Sequence, residues 1–291
     1  MASTEVRERR LDASLLDGCL ALTRAAGWNQ NAADWRLMLE IGRGWGLTLA
    51  DGTLAASTLV LPYGGFAWVS MVLVLPEQRR RGFAARLLRT ALADLRAAGF
   101  TPVLDATPAG RAVYVREGFH DSWGFKRYQL ATGAASPHAG SAGGVRPLAA
   151  DDWPQLLALD AQAFGASRER LLRALATRLP SAALVCASAG RLRGFLLGRE
   201  GHEACQLGPL VVDSDAGNDG AGTAQALLDA ALAKRPAPLY LDVADHAAPL
   251  VAWLEARGFA LQRPFTRMVF GGGTAPGDAS KVILVAGPEL G

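Results

Sequence analysis

Cysteine and histidine are scarce in this chain, with three of one and four of the other among 291 residues. Cys19, Cys186 and Cys205 form no pair at redox or metal spacing, which argues against a disulfide framework. The histidines are equally scattered, so no metal site is expected. Long apolar runs are missing too: no stretch approaches eighteen apolar residues without a charge or a turn residue, and no membrane association is expected. The opening residues carry mixed charge ahead of any apolar stretch, unlike a secretory signal, so the expected setting is cytoplasmic. Neither sign of charge dominates, since 30 Lys and Arg against 27 Asp and Glu leave +3. That bias is too small to imply a nucleic-acid partner. No G-x-G-x-x-G follows an apolar strand, which disfavours a dinucleotide site.

What is present is globular. Half of the chain is hydrophobic and a fifth is charged, over about twice a typical domain length. Residues 131–145 are small, polar and glycine-rich, the composition of a linker. An internal repeat supports a division there. Leu87-Leu88 recurs as Leu227-Leu228, Gly118-Phe119 as Gly258-Phe259, Phe125 as Phe265 and Arg127 as Arg267, all at an offset of 140. The expected organisation is a first domain over 1–130, a linker over 131–145, a second domain over 146–270 and a tail over 271–291 with a final short strand.

Periodicity in the first copy predicts helices over 11–26 and 32–41, then three strands over 46–50, 53–61 and 66–75. Asp51-Gly52 and Gly64-Gly65 lie between those strands as hairpin turns. A helix over 83–98, a strand over 101–106, a short helix over 109–117 and a strand pair around Gly124 follow. The fold class is α+β (mixed α/β), with a central, mostly antiparallel sheet flanked by helices in each copy.

The most informative stretch is Val72-Leu73-Val74-Leu75-Pro76-Glu77-Gln78-Arg79-Arg80-Arg81-Gly82-Phe83-Ala84. An apolar strand stops at a proline, a basic loop follows, and a helix opens beside two small residues. A helix N-terminus offers free N–H groups and partial positive charge to an anion. Arginines add bidentate donors for phosphate oxygens. This pattern resembles the acetyl-CoA loop of the GNAT superfamily of N-acetyltransferases, and the order of elements in the first copy is similar to that family's. The resemblance implies that Val72, Leu73, Val74, Arg79, Arg80, Arg81, Gly82, Phe83 and Ala84 bind acetyl-CoA. It also implies that backbone N–H groups of the Val72–Val74 strand polarise the thioester carbonyl.

Residues 104–119 resemble the second half of the same fold, with Tyr114 where the family places the acid that protonates the departing thiolate. The general base is less defined. Ser70 is the one polar side chain on its strand where many relatives carry a glutamate, and Asp105 on the next strand is a candidate. Trp28, Asp34, Trp68 and Trp123 are candidates for the acceptor pocket, as shape-forming or cation-attracting groups, or equally as core residues.

In the second copy Asp219 replaces Arg79 and Leu254 replaces Tyr114, so that copy is expected to lack a working acetyl-CoA site. With Arg263-Pro264-Phe265-Thr266-Arg267-Met268 and Ala286-Gly287-Pro288-Glu289-Leu290-Gly291 as its ending, the whole is similar to tandem GNAT proteins with a degenerate C-terminal copy, which covers or completes the acceptor pocket or only props the fold. The expected activity is direct acetyl transfer from acetyl-CoA to a small amine in the first copy, by a monomer or homodimer. The rivals are a non-catalytic acyl-CoA-binding module and a basic nucleic-acid binder.

Overall fold

The structure, a computed structural model, describes residues 6–133, 144–213, 220–234 and 236–291. Most of the linker over 131–145, and Asp219, lie outside the described residues. The first half runs β1 Val6–Arg10, α1 Leu16–Ala25, α2 Ala32–Ile41, β2 Arg43–Leu49, β3 Leu54–Tyr63, β4 Phe66–Val74, α3 Phe83–Ala97, β5 Thr101–Ala106, α4 Pro108–Arg116 and β6 Phe119–Leu130. The second half runs β7 Val145–Pro147, α5 Trp153–Phe164, α6 Glu169–Arg178, β8 Leu184–Ser188, β9 Arg191–Arg199, β10 Cys205–Val212, α7 Gly220–Leu232, β11 Leu239–Ala244, α8 Ala248–Glu255, β12 Ala260–Phe270 and β13 Val282–Leu284.

Local signals explain several of these boundaries. The Asn31 side chain accepts from the Ala33 and Asp34 amides, and Asp34 accepts from the Asn31 amide, a capping box that starts α2. In α3, Leu87, Leu88, Ala91 and Leu95 recur at helical spacing and are fully buried against the sheet. Truncating one of these leucines to alanine costs about 2–5 kcal/mol. The strand pair anticipated around Gly124 is instead one twelve-residue strand, β6. Gly124 sits inside it, opposite Thr266, and a side chain there would displace the half-exposed Asp245 carboxylate.

The thirteen strands among the described residues join one sheet in the order β1-β2-β3-β4-β5-β12-β6-β11-β13-β10-β9-β8-β7. The two halves therefore exchange strands. Strand β12, from the second half, pairs antiparallel with β5 and with β6 of the first. Strand β6 in turn pairs with β11 of the second half. The cores follow the exchange. Met268 of β12 packs under α3 with Leu87 and Phe119, and Tyr128 and Leu130 of β6 pack with Leu227 and Leu254. A third cluster joins Trp35, Met38 and Trp68 to Leu156, Leu171 and Phe195, so apolar burial is continuous across both halves.

Each half contains one parallel pair whose strands part. β4 and β5 pair only from Phe66–Trp68 to Thr101–Val103, then diverge. β10 and β11 pair only from Cys205–Leu207 to Leu239–Leu241. In the second half β13 enters the opening and pairs antiparallel with both flanking strands, Leu284 lying opposite Leu210 and Val243. Among the described residues no strand enters the corresponding opening in the first half.

Candidate active site

The open wedge between β4 and β5 leads into a narrow cleft, whose space counted out to open solvent is about 480 Å³. Val69, Ser70, Met71 and Val72 line one wall, and Asp105, Thr107 and Tyr114 line the other. Arg127, Arg263 and Phe265 come from the exchanged pair β6 and β12, while Trp28, Gln30, Pro288 and Glu289 close the remaining side. The β4 wall is irregular. Met71 has a φ of 50°, and the β3–β4 register slips so that Thr58 alone opposes Met71 and Val72. This is a β-bulge, which takes one backbone unit out of the ladder. The Ser57 hydroxyl donates to the Met71 carbonyl at 2.7 Å and pins it.

A second, larger groove, about 1140 Å³ counted out to open solvent, adjoins the first along β4 and α4. Val74, Arg79, Arg80, Gly82, Phe83, Ala84 and Arg116 line it. Gly82 takes a φ of 78° as the N-cap of α3, a conformation that L side chains resist, and no side chain caps the helix. The first-turn N–H groups therefore have no intrahelical acceptor. Arg79 and Arg80 have no carboxylate partner among the described residues. This set of donors fits a pyrophosphate-bearing molecule. Arg81 points elsewhere, bonding Gln78 and lying 4.9 Å from the Phe83 ring centre. Of the strand residues expected to face the thioester, Val72 lines the inner cavity, Val74 lines the outer groove, and Leu73 is buried between them.

Tyr114, on α4, meets the cavity and packs edge-on against Phe119 at 6.0 Å. Burial of its hydroxyl pushes the pKa up to about 12, so the phenol stays protonated at neutral pH. Thr107 caps α4 through its own hydroxyl, which accepts from the Gly110 amide at 3.2 Å. Asp105 also reaches the cavity, but both of its oxygens accept from Arg267, at 2.9 and 3.0 Å. Burial raises its pKa, and the Arg267 guanidinium pulls against that rise.

The tryptophans divide. Trp28 lines the cavity. Trp68 and Trp123 sandwich the Arg267 guanidinium, with ring centres 4.4 and 4.2 Å away, and so hold the partner of Asp105. Asp34 does not line the cavity. It is fully buried and bonds Arg178 at 2.6 Å and Arg199 at 2.7 Å, tying α2 to the second half.

Several residues at the cavity escaped the sequence reading. Beyond β13 the chain turns back toward the first half. The Trp68 indole N–H donates to the Pro288 carbonyl at 3.0 Å, the Tyr63 hydroxyl to that of Leu290 at 3.2 Å, and Arg168 to that of Gly291 at 2.6 Å. These bonds seat Glu289 in the cavity wall, with one oxygen on Arg199 and Oε2 without a hydrogen-bond partner. Gln30 Oε1 and Ser70 Oγ are likewise buried and unpartnered. Ser70 stood out in the sequence as the one polar side chain of its strand, but nothing local joins it to Gln30 and Glu289, because what joins them is a meeting of α1's exit, β4 and residues 285–291. Among the described residues no three His, Cys, Asp or Glu side chains are arranged to hold a metal ion. Among them, too, no helix is long and apolar enough to cross a membrane.

Comparison with known proteins agrees with this geometry. The description "Acetyltransferase (GNAT) family" matches residues 19–119, and "Acetyltransferase (GNAT) domain" matches residues 156–284. An uncharacterized N-acetyltransferase of Bacillus subtilis (strain 168), YitH, is 22% identical over 246 residues, covering 84% of each chain. A putative acetyltransferase from Pyrococcus horikoshii has the same fold, with a TM-score of 0.80 at 20% identity over 98% of this chain and 96% of that one. A tandem GNAT protein from the clavulanic acid biosynthesis pathway superposes with a TM-score of 0.62 at 17% identity, over 93% of this chain and all of the other. With both of its repeats matched, and with one wedge-shaped opening beside a basic, uncapped helix end, the chain belongs to the GNAT acetyltransferase superfamily as a tandem, two-copy member.

Proposed function

We propose that the chain is an acetyl-CoA-dependent N-acetyltransferase of small-molecule amines in the cytoplasm, with one catalytic centre, in the first half. The observation that carries this reading is the pairing of an open β4–β5 wedge with the uncapped start of α3 and its two unpaired arginines. The α3 amides, Arg79 and Arg80 hold the pyrophosphate of acetyl-CoA, and the thioester reaches the bulge at Met71–Val72 through the wedge. A backbone N–H released from the ladder at that bulge supports the carbonyl oxygen as it gains charge.

The acceptor nitrogen forms a bond to the acetyl carbon, and the carbon–sulfur bond breaks. Tyr114 gives its proton to the departing thiolate and is reprotonated from the nitrogen. The net reaction releases one proton, which must first leave the ammonium form of the acceptor. Removing it at neutral pH costs about 4–5 kcal/mol for a lysine-like amine, so a nearby acceptor of protons is required. In the second half β13 fills the equivalent wedge and Leu254 stands in place of Tyr114, which supports a single centre.

The test is release of free thiol from acetyl-CoA when a library of small amines is added. Acetyl-CoA-dependent thiol release with at least one amine supports the proposal. Tight acetyl-CoA binding without thiol release across the library would leave a non-catalytic acyl-CoA-binding module instead.

A further inference from the structure

The charges around the inner cavity do not balance. Arg127 is paired with Asp242 through two bonds of 2.7 Å, and Arg267 is paired with Asp105. Arg199 lies between Asp34 and Glu289, and Arg178 shares Asp34. Asp242, Asp105, Asp34 and Glu289 thus serve Arg127, Arg267, Arg199 and Arg178. Arg263 is left over: its Nε donates to the Gln262 side chain at 3.0 Å, and no carboxylate pairs with it among the described residues.

Arg263 is also badly placed for stability alone. It sits half-buried, directly opposite Arg127 on the β6–β12 pair. Like charges opposite one another across strands are destabilising. Burial and the neighbouring Arg127 both hold its pKa below the ordinary arginine value. The repeat makes the contrast plain. Arg127 corresponds to Arg267, and Arg263 to Trp123, at the common offset of 140. Across the same strand pair, Arg267 faces Trp123 and stacks on it at 4.2 Å. Both arginines lie over aromatic rings, Arg127 over Tyr240 at 5.0 Å, but the register partner across the strand pair is an aromatic ring for Arg267 and a second arginine for Arg127.

The cavity also holds acceptors without donors. Glu289 Oε2, Gln30 Oε1 and Ser70 Oγ have no partner among the described residues, and their residues are only 2%, 3% and 7% exposed. Buried polar atoms left in this state cost about 1–3 kcal/mol each unless a ligand satisfies them. An unpaired guanidinium and a cluster of oxygen acceptors in one small cavity match a molecule carrying both charges.

Resting on the acetyltransferase reading above, we infer that the acceptor is a small amino carboxylate, bound by its carboxylate on Arg263 and by its ammonium group among Glu289, Gln30 and Ser70. Arg263 offers the carboxylate a bidentate, charge-assisted contact. Glu289 Oε2 takes the proton of the ammonium group and passes it to solvent, which frees the nitrogen lone pair for attack. Residues 285–291, from the far end of the chain, thereby supply the acceptor subsite of the first half.

The experiment compares the wild-type chain on free α-, β- and γ-amino acids with the same compounds as carboxamides and as decarboxylated amines, by thiol release from acetyl-CoA. Acetyl-CoA binding is measured in parallel by calorimetry. The inference expects kcat/KM at least about tenfold higher for a free amino acid than for its neutral counterparts. Arg263→Gln should abolish that preference by raising KM, retain acetyl-CoA affinity, and keep or raise Tm because it removes a like-charge neighbour of Arg127. Arg263→Lys should restore part of the preference. Amino carboxylates no better than their neutral counterparts, whether both react or neither does, would overturn the inference while acetyl-CoA still binds. Failure of acetyl-CoA itself to bind would instead overturn the underlying acetyltransferase reading, and this inference with it.

Discussion

Phe125 and Phe265 occupy equivalent positions in the two repeats and lie face to face, their ring centres 4.9 Å apart and their planes inclined by 11°. They are register partners on β6 and β12, so the pseudo-twofold relationship between the halves passes between them. Two residues further along each strand, Arg127 and Arg267 reach carboxylates, Asp242 and Asp105, that belong to the opposite half. The strand exchange is thus held by stacking at its centre and by buried ion pairs on either side. The inner cavity is built on this junction, since Arg127, Arg263 and Phe265 all line it.

The two halves should consequently unfold as one unit. Phe265→Ala removes a buried ring and should cost about 3–5 kcal/mol. Scanning calorimetry should give a single transition, lowered by roughly 10 °C in the variant. Two transitions, one of them unmoved, would contradict the shared sheet.

Tyr114→Phe should lower kcat about 10²-fold while leaving acetyl-CoA affinity unchanged, since only the transferable proton is lost. The hydroxyl pKa is raised to about 12, so the acid form persists through the whole neutral and mildly alkaline range. The wild-type rate should therefore show no loss assignable to Tyr114 below about pH 11. An alkaline fall near pH 9 that disappears in Tyr114→Phe would contradict this.

Asp105 is fully engaged by Arg267, which is itself clamped between Trp68 and Trp123. Asp105→Asn should cost about 3–5 kcal/mol in chemical denaturation, because it strands a buried guanidinium. Asp105→Leu combined with Arg267→Met should recover most of that loss. Equal destabilisation by the single and the paired change would refute a structural ion pair.

Cys19 is fully buried on α1, and burial pushes its thiol pKa up to about 12. The reactive thiolate is therefore nearly absent at pH 8, and alkylation of Cys19 by iodoacetamide should require unfolding. Mass-spectrometric labelling of native protein at rates typical of an exposed thiol would contradict that placement.

The parts of the site that are local in sequence were legible in it. The strand–proline–arginine–glycine run around Arg79 to Ala84 marks its own helix start, which the structure places at Phe83. The exchange was not legible. Phe125 and Phe265 mark equivalent strands, but a repeat does not say which copy a strand pairs with. The bulge at Met71 escaped because methionine carries no preference for a positive φ. Strand β1 reads as a run of charge, since Arg7, Glu8, Arg9 and Arg10 protect an exposed sheet edge. Asp34 suggested a cation-binding surface, whereas Arg199, 165 positions away, buries it in an ion network. Glu289 lies in the 286–291 ending that resembles the tandem proteins' own, but its place in the cavity was not legible, because only the path of β13 through the second wedge brings it to Gln30 and Ser70.

The central claim is one acetyl-CoA site per chain, built on the α3 start of the first half. Calorimetric titration with acetyl-CoA tests it most directly, on the wild type and on Arg79→Glu with Arg80→Glu. We predict a stoichiometry of one, with affinity in the double variant at least about 30-fold weaker, corresponding to about 2 kcal/mol from two reversed charges at the phosphates. Two sites per chain, or an unchanged affinity in the variant, would contradict it.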